Sequence, residues 1–402
     1  MNAPAMSTET NMGFPVDGGL LAAFVGLLAL GLVLVGSASF GIAEKLTGDP
    51  FHFLIRQAAY VAIGLASATA AVRIPMHVIR QSGPWLLLAT LFLLIFILIP
   101  GMGRSVQGGT RWIDLGLVNV QVAELAKLFV IVYLGGYLVR QGEAVRTQIG
   151  GFLKPMILVA LICVLLLMQP DFGASVVLLL TVLAMMFLGG VRLWQFGLLF
   201  AVCIAVMALV AVLEPYRLSR ITVFMNPWAD PYDSGFQLTQ ALIAIGRGEW
   251  FGVGLGESVQ KLFYLPEAHT DFLYAVLTEE LGMAGALTVL GLYGLLTLRI
   301  FAVARRAEAH GRYFNAFVCW GVGVWLSLQA FINIGVNMGL LPTKGLTLPF
   351  MSYGGSSMLV SCLAMGLVLR VDYENARAPR SKRGRPMPDL RSGHGSADGV
   401  IA

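Results

Sequence analysis

Charged residues are scarce in this sequence. Aspartate, glutamate, lysine and arginine together make up 12% of the 402 residues, whereas a soluble domain has about 25%. Apolar residues make up 57%, and the mean hydropathy is +0.79. Because so few charges are available to cover a water-exposed surface, the composition indicates a membrane protein.

Cysteines and compact metal-binding motifs are also lacking. The four cysteines lie far apart inside apolar stretches, which excludes a disulfide framework and a cysteine-based metal site. The glycine-rich run from Gly252 to Gly256 lacks the full spacing of a dinucleotide-binding motif. The net charge of +5 comes from short loops and a basic C-terminal tail. It therefore indicates membrane topology and not nucleic-acid binding.

The sequence is rich in long apolar blocks. A helix of about 20 residues crosses the ~30 Å hydrocarbon core of a bilayer, and ten blocks come close to that length or exceed it. We therefore predict an all-α polytopic membrane protein with ten transmembrane helices. The blocks cover about residues 18–37, 54–72, 84–99, 122–139, 156–168, 174–189, 194–213, 272–298, 315–337 and 356–369.

The distribution of lysine and arginine predicts the orientation. With both termini in the cytoplasm, ten of the 27 basic residues fall in cytoplasmic loops and seven in the tail, leaving ten outside. This bias follows the positive-inside rule. We expect residues 1–17 to form a cytoplasmic N-terminal tail, residues 18–371 the ten-helix membrane domain, and residues 372–402 a basic, disordered cytoplasmic tail.

The longest connection lies on the outer side, between the seventh and eighth helices. It covers about residues 214–271 and contains several proline and glycine turns and an amphipathic stretch from Gln237 to Ile245. A loop of this length is usually functional or disordered. Its apolar content argues against disorder, so we expect a functional role.

Polar residues near the outer ends of the helices are candidates for function. The run from Leu265 to Phe272 leads into the eighth helix and contains His269 and Asp271. Asp271 is either an N-cap of that helix or a general base, and His269 is a second candidate base. Glu279–Glu280, two to three turns later, lie on other faces of the helix, so structural pairing is at least as good an interpretation for them.

Two further groups of polar residues lie on the outer side. Glu124 and Lys127, three residues apart on the fourth helix, can form an ion pair, and Asp171 follows the fifth helix. These charges either line a site or clamp the bundle together. Before the tenth helix, residues 341–357 contain two prolines and a Gly-Gly turn; Ser356 either caps that helix or belongs to an anion site at its N-terminus.

Together these motifs resemble those of the SEDS family (shape, elongation, division and sporulation). The similarity extends from about residue 18 to residue 372. It is carried by the Leu-Pro-Glu-x-His-Thr-Asp-Phe run ending at Phe272 and the Ser-Tyr-Gly-Gly-Ser-Ser run from Ser352. The stretch from Gly339 to Phe350 resembles the cell-division members more than the elongation members. One departure is Val122-Ala123, where the family often has Pro-Ser; the loss of that proline affects the first turn of the fourth helix.

The resemblance implies peptidoglycan glycosyltransfer during cell division. The substrate would be lipid II, polymerised at the outer face of the bacterial inner membrane, at the division septum, with Asp271 as the general base. A divalent Mg or Mn ion at the substrate pyrophosphate is an open expectation. The residues expected to contact the substrate are Arg111, Glu124, Lys127, Asp171, Lys261, His269, Lys344, Ser352 and Ser356.

The resemblance also implies protein partners. We expect a class B penicillin-binding protein to crosslink the strands, because we expect no Ser-x-x-Lys transpeptidase motif in this chain. Other membrane proteins of the division machinery and membrane lipids complete the expected partners, and nucleic acid is not among them.

Three alternatives remain at this point. A lipid II flippase or other transporter predicts ionisable groups at mid-membrane on several helices, whereas most charges here lie near the outer face. An elongation-type polymerase of the same family would carry out the same chemistry. A division scaffold without chemistry would tolerate the change Asp271→Asn.

Overall fold

The computed structural model describes residues 16–378, except 107–108, 115–118, 234, 263, 344 and most of 193–223, where only 194, 195, 197, 200, 201 and 205 are described. The described chain is mainly helical. Its helices are α1 (Gly18–Thr47), α2 (His52–Arg73), α3 (Met76–Leu98), α4 (Val122–Thr147), α5 (Ile149–Met168), α6 (Phe172–Leu188), α7 (Phe236–Arg247), α8 (Leu273–Ala309), α9 (Tyr313–Asn337) and α10 (Gly355–Ala376).

Eight of these helices are long and apolar enough to cross a membrane, namely α1–α5 and α8–α10. The shorter α6 has 17 residues and is also apolar. These nine helices lie at nine of the ten predicted blocks, so the prediction of a polytopic helical membrane protein is confirmed. The seventh predicted block, 194–213, lies mostly outside the described residues. The amphipathic α7 belongs to the long loop.

A small sheet departs from the all-α prediction. Its three antiparallel strands are β1 (Arg104–Val106), β2 (Gly109–Asp114) and β3 (Asn119–Gln121), in the order β1-β2-β3. Trp112 pairs with Gln121, and α4 begins at the next residue. Strands of three to six residues are too short to give a clear alternation of apolar and polar side chains, which is why the sequence did not predict them.

The helices pack around α9, which contacts α4, α6, α8 and α10. The consecutive helices α2 and α3 diverge: α2 packs on α10 and α1, whereas α3 packs mainly on α4. As a result, only 17% of the apolar window of α2 is buried within the protein. The two helices therefore pack on different neighbours and not on each other.

The long helix α8 is interrupted in its N-terminal part. Gly282 has φ 65° and ψ −164°, a conformation that is essentially restricted to glycine. The neighbouring loop supplies the backbone partners that the break removes. The N–H groups of Val253 and Gly254 donate to the carbonyls of Glu279 and Glu280 at 3.0 and 3.1 Å. The loop carbonyls at positions 249 and 250 accept from the N–H groups at positions 283 and 284 at 2.9 and 3.1 Å.

The two adjacent glutamates before this break are completely buried. Glu279 accepts hydrogen bonds from the Ser258 hydroxyl and from the Val259 N–H. Glu280 accepts from Lys261 Nζ at 2.8 Å and from the Ser37 hydroxyl at 2.6 Å. Both carboxylates therefore attach the long loop to α8, and Glu280 also joins α1, in line with the structural interpretation of these residues.

The fit of the loop into α8 predicts the effect of one substitution. A Cβ atom at Gly252, which has φ +78°, would collide with the carbonyl oxygen of Glu280. We expect Gly252→Ala to lower the free energy of unfolding by at least about 2 kcal/mol, measured as a lower thermal unfolding midpoint in detergent. Gly256 has φ +88° but open space around it, so Gly256→Ala should cost only about 1 kcal/mol. Equal effects of the two variants would contradict this account.

Candidate functional site

Asp271 lies just before the start of α8. The helix begins at Leu273 with Phe272 at the N-cap position, so Asp271 is one residue outside the position predicted for a capping aspartate. Its side chain is half-buried and lies against the backbone of Gly345: a Cβ atom added there would be 2.9 Å from Asp271 Oδ2. The carboxylate therefore faces the segment that precedes α10.

Two buried asparagines of α9 hold the backbone of Asp271. The Nδ2 groups of Asn333 and Asn337 donate to the Asp271 carbonyl at 2.8 and 3.0 Å. Asn337 Oδ1 accepts from the Ala275 N–H at 3.1 Å, which satisfies a donor in the first turn of α8. Asn333 Nδ2 also donates to the carbonyl of Leu346. The pair thus fixes the start of α8 and the 345–348 segment on one helix.

These asparagines were not among the residues predicted from the sequence. They follow Gln329 at spacings of four, so the three amides form one face of α9. A polar stripe within an apolar block is the signal that could have identified them.

The predicted ion pair of α4 forms and is buried. Lys127 Nζ lies 2.7 Å from Glu124 Oε1 and 2.7 Å from Gln329 Oε1, and it lies over the ring of Trp325 at 5.1 Å from the centroid. Lys127 is 1% exposed and Glu124 is 4% exposed. Within the described chain, Glu124 Oε2 is buried without a hydrogen-bond partner.

The ion pair and Asp271 are connected through the segment that precedes α10. Gln329 Nε2 donates to the Thr347 carbonyl at 3.0 Å, and the Thr347 hydroxyl donates to the Ser357 hydroxyl oxygen at 2.8 Å. Since Gly345 lies against Asp271, residues 345–347 contact Asp271 directly and the ion pair through Gln329. The structure therefore brings Asp271, Glu124 and Lys127 around one segment.

Arg111 and Asp171 have structural partners at the turn between α5 and α6. The Arg111 guanidinium donates to the carbonyls of Gln169 and Pro170 at 3.0 and 2.7 Å. Asp171 accepts from the first-turn N–H at position 174 at 3.0 Å as the N-cap of α6. It also accepts from Gln121 Nε2 at 3.1 Å. These contacts fit the clamp interpretation of this group.

The two predicted serines also make backbone contacts. The Ser356 hydroxyl accepts from the Gln121 N–H at 2.8 Å and donates to the Asn119 carbonyl. It therefore joins β3 to α10, whose N-cap is Gly354. The Ser352 hydroxyl accepts from the Leu348 N–H at 2.8 Å and closes a turn.

His269 lies in an aromatic cluster with Phe53 and Tyr353, at ring-centroid distances of 5.0 and 5.5 Å. Burial lowers the pKa of His269, and the nearby Glu267 carboxylate offsets this only in part. The imidazole is therefore neutral at neutral pH. Burial, with the adjacent Tyr60, raises the pKa of Tyr353 to about 12. The exposed Arg56 lies beside the Tyr353 hydroxyl. It was not among the residues predicted to contact the substrate.

Lys261 lies away from Asp271, paired with Glu280 and Ser37. It belongs to the tetrapeptide Ser258-Val259-Gln260-Lys261, so the expectation that this chain contains no Ser-x-x-Lys sequence is wrong. This tetrapeptide does not form a serine–lysine catalytic pair, because the Ser258 hydroxyl donates to Glu279 and the lysine binds Glu280.

Lys344 lies outside the described residues. Among the residues that the structure does describe, no three histidine, cysteine, aspartate or glutamate side chains converge. The Mg or Mn ion expected at the substrate pyrophosphate stays a prediction, and phosphate oxygens of the substrate would be among its ligands.

Comparison with known proteins gives consistent matches. Residues 19–377 match the FtsW/RodA/SpoVE family, described as "Cell cycle protein". The "Probable peptidoglycan glycosyltransferase FtsW" of Thioalkalivibrio sulfidiphilus is 58% identical over 92% of each chain. The protein of the same name in Legionella pneumophila is 54% identical over 89% of this chain and 91% of its own.

Two solved structures share the fold. One, described as "Structural coordination of polymerization and crosslinking by a peptidoglycan synthase complex", is 30% identical with a TM-score of 0.74, over 90% of this chain and 99% of the other. The rod shape determining protein RodA of Thermus thermophilus is 28% identical with a TM-score of 0.67, over 90% and 98%. Fold, motifs and sequence identity agree: this chain belongs to the FtsW/RodA/SpoVE family.

Proposed function

We propose that this protein is a peptidoglycan glycosyltransferase that polymerises lipid II during cell division, with Asp271 as its general base. The observation that carries the proposal is the position of Asp271: two buried amides fix its backbone at the outer end of α8. The relatives named as peptidoglycan glycosyltransferases are 49–58% identical over most of the chain, which supports the same activity here. Their FtsW name favours division over the elongation-type alternative.

The proposed reaction is an inverting transfer. The 4-hydroxyl of an acceptor GlcNAc attacks C1 of a donor MurNAc, Asp271 takes the hydroxyl proton, and the bond from C1 to the pyrophosphate oxygen breaks. The undecaprenyl pyrophosphate leaves with the bonding electron pair, and an α-linked phosphate becomes a β-1,4 glycosidic link. A carboxylate held on a rigid helix end suits this role, since a base must be positioned before its basicity matters.

The leaving pyrophosphate needs positive charge. Arg111 and Lys261 already have protein acceptors, so the exposed Arg56 is a better candidate for direct contact than either of them. The predicted contact of Lys344 with the substrate stays a prediction. Lys127, buried against Glu124, contributes charge below the site. No step of this mechanism passes through a metal ion.

The lipid tail would lie between α2 and α3, which pack on different neighbours. Both helices expose apolar side chains there: Ile55, Ile63 and Ile95 are 61%, 44% and 53% exposed. A flippase would need a path with ionisable groups at mid-membrane. The described polar cluster instead lies at the outer ends of α4, α8 and α10, which favours an enzyme working at the surface.

The proposed membrane arrangement has ten transmembrane helices, both termini in the cytoplasm, and residues 214–271 as a periplasmic loop in the inner membrane at the septum. The partner is a class B penicillin-binding protein together with other division proteins. The structural neighbour described as a complex coordinating polymerization and crosslinking supports such a partnership.

The orientation predicts which sites react with an impermeant thiol reagent in intact cells. With the native cysteines replaced, Ala229→Cys and Thr343→Cys should be labelled from outside. Arg146→Cys and Arg385→Cys should react only after the cells are permeabilised. Labelling at position 146 in intact cells would invert the proposed arrangement.

The substitution Asp271→Asn tests the base directly. Asparagine keeps the shape of the side chain and is nearly as good a helix cap as aspartate, but it cannot take a proton. We expect a folded variant that still binds its partner and loses at least about 100-fold in the rate of lipid II polymerisation.

The matched control is Asp233→Asn, the same change at an exposed position of the same loop, which should retain the wild-type rate. A folded Asp271→Asn protein with near-wild-type strand synthesis would contradict the assignment of Asp271 as the general base. Glu124 and Asp171 would then be the next candidates.

A further inference from the structure

A cavity lies at the opposite end of the bundle from Asp271, on the side that the proposed orientation makes cytoplasmic. It has a volume of about 350 Å³, within the range of ligand-binding pockets. It lies between the start of α3, the turn that joins α8 to α9, and the last turns of α10. Its lining includes Met76, His77, Arg80, Arg312, Tyr313 and Glu374.

The charge balance of the cavity is positive. Arg80 and Arg312 both line it, and the acid among the described lining residues, Glu374, is already neutralised. Its Oε1 atom accepts from Arg370 Nε at 2.9 Å, and its Oε2 atom accepts from Asn315 Nδ2 at 3.0 Å. Arg370 offsets the charge of Glu374, so Arg80 and Arg312 leave the lining with an excess of positive charge, and Arg312 Nη1 also donates to the Glu374 carbonyl at 2.6 Å.

One helix N-terminus adds to this positive potential. The N-cap residue of α9 is Arg312, which makes no side-chain cap bond, and the first turn of α9 has no acidic residue. The first N–H of α3, that of Met76, already donates to Glu374 Oε1 at 3.1 Å, so this helix end is satisfied within the protein. The N-terminal end of a helix dipole favours an anion, so two arginines, the start of α9 and a cavity of sufficient size converge on one place.

The surroundings of the cavity indicate what kind of anion fits. From the cavity, α3 presents an exposed apolar stripe to the membrane at helical spacing: Val78, Trp85, Leu88 and Phe92 are 43%, 73%, 54% and 65% exposed. Basic pockets between membrane helices on the cytoplasmic side accept lipid headgroups. The stripe would lie along the acyl chains of such a lipid, a contact that a soluble phosphate compound cannot make.

We propose that this cavity binds the phosphodiester headgroup of an anionic phospholipid of the inner leaflet, such as phosphatidylglycerol. Arg80 and Arg312 bind the phosphate oxygens, and the acyl chains lie on the exposed stripe of α3. The bound lipid bridges α3, α9 and α10 and stabilises their packing at the end of the bundle opposite the proposed active site.

Lipid binding to the purified protein tests the proposal without any activity measurement. In detergent, phosphatidylglycerol should raise the thermal unfolding midpoint more than phosphatidylcholine does, and native mass spectrometry should show retained phosphatidylglycerol. The double variant R80Q/R312Q should bind phosphatidylglycerol roughly tenfold more weakly or worse, since each arginine near an anionic headgroup contributes about a fivefold effect. R80Q alone should show part of this loss, which keeps the test available if the double variant is unstable.

The matched control is R73Q/R305Q, which removes two exposed arginines of the same side that do not line the cavity. It should retain wild-type binding. Equal losses of binding in the control and cavity variants would show that the effect comes from general surface charge, and would overturn the proposal. Stabilisation by inorganic phosphate but not by phosphatidylglycerol would overturn it as well, in favour of a soluble anion.

Discussion

One face of α9 holds together the half of the molecule that contains Asp271. Gln329, Asn333 and Asn337 are almost completely buried, and each amide bonds backbone or charge from another element. Gln329 joins Lys127 of α4 to the segment before α10, whereas the two asparagines join that segment to the start of α8. Because a backbone group buried in a membrane protein must find a partner within the protein, these amides decide where the irregular segments lie.

The same requirement explains the long loop. The break in α8 at Gly282 would leave backbone donors and acceptors unpaired, and the 249–254 segment supplies their partners. The buried carboxylates of Glu279 and Glu280 then attach the following residues, including Lys261. A segment that looks like an unstructured connection in the sequence is thereby fixed to the helix that follows Asp271. Asp271 is therefore supported on one side by this loop and on the other by α9.

Much of the fold was predictable because bilayer thickness sets the length of an apolar block. The Glu124–Lys127 pair was predictable too, because both partners lie on one helix face at a spacing of three. The sheet was not, since its strands are too short for a pattern. The roles of Arg111 and Lys261 could not be predicted from the sequence either. A cation predicted on the outer side looks available for phosphate, but Arg111 donates to the Gln169 carbonyl and Lys261 to Glu280. The role of the α9 amides was not predictable either, because it depends on which loops pack against that helix.

The central claim is that α9 positions Asp271 for proton transfer, and the variant Asn337→Ala tests it most directly. This change removes one donor to the Asp271 carbonyl and the acceptor for the Ala275 N–H. The matched control is Asn315→Ala, a buried asparagine at the other end of the same helix that binds Glu374. At a temperature where both variants are folded, we expect Asn337→Ala to polymerise lipid II at least about tenfold more slowly with lipid II binding retained, because small displacements of a catalytic group are costly. The Asn315 variant should keep its rate. A folded Asn337→Ala protein that polymerises as fast as the control would contradict the account.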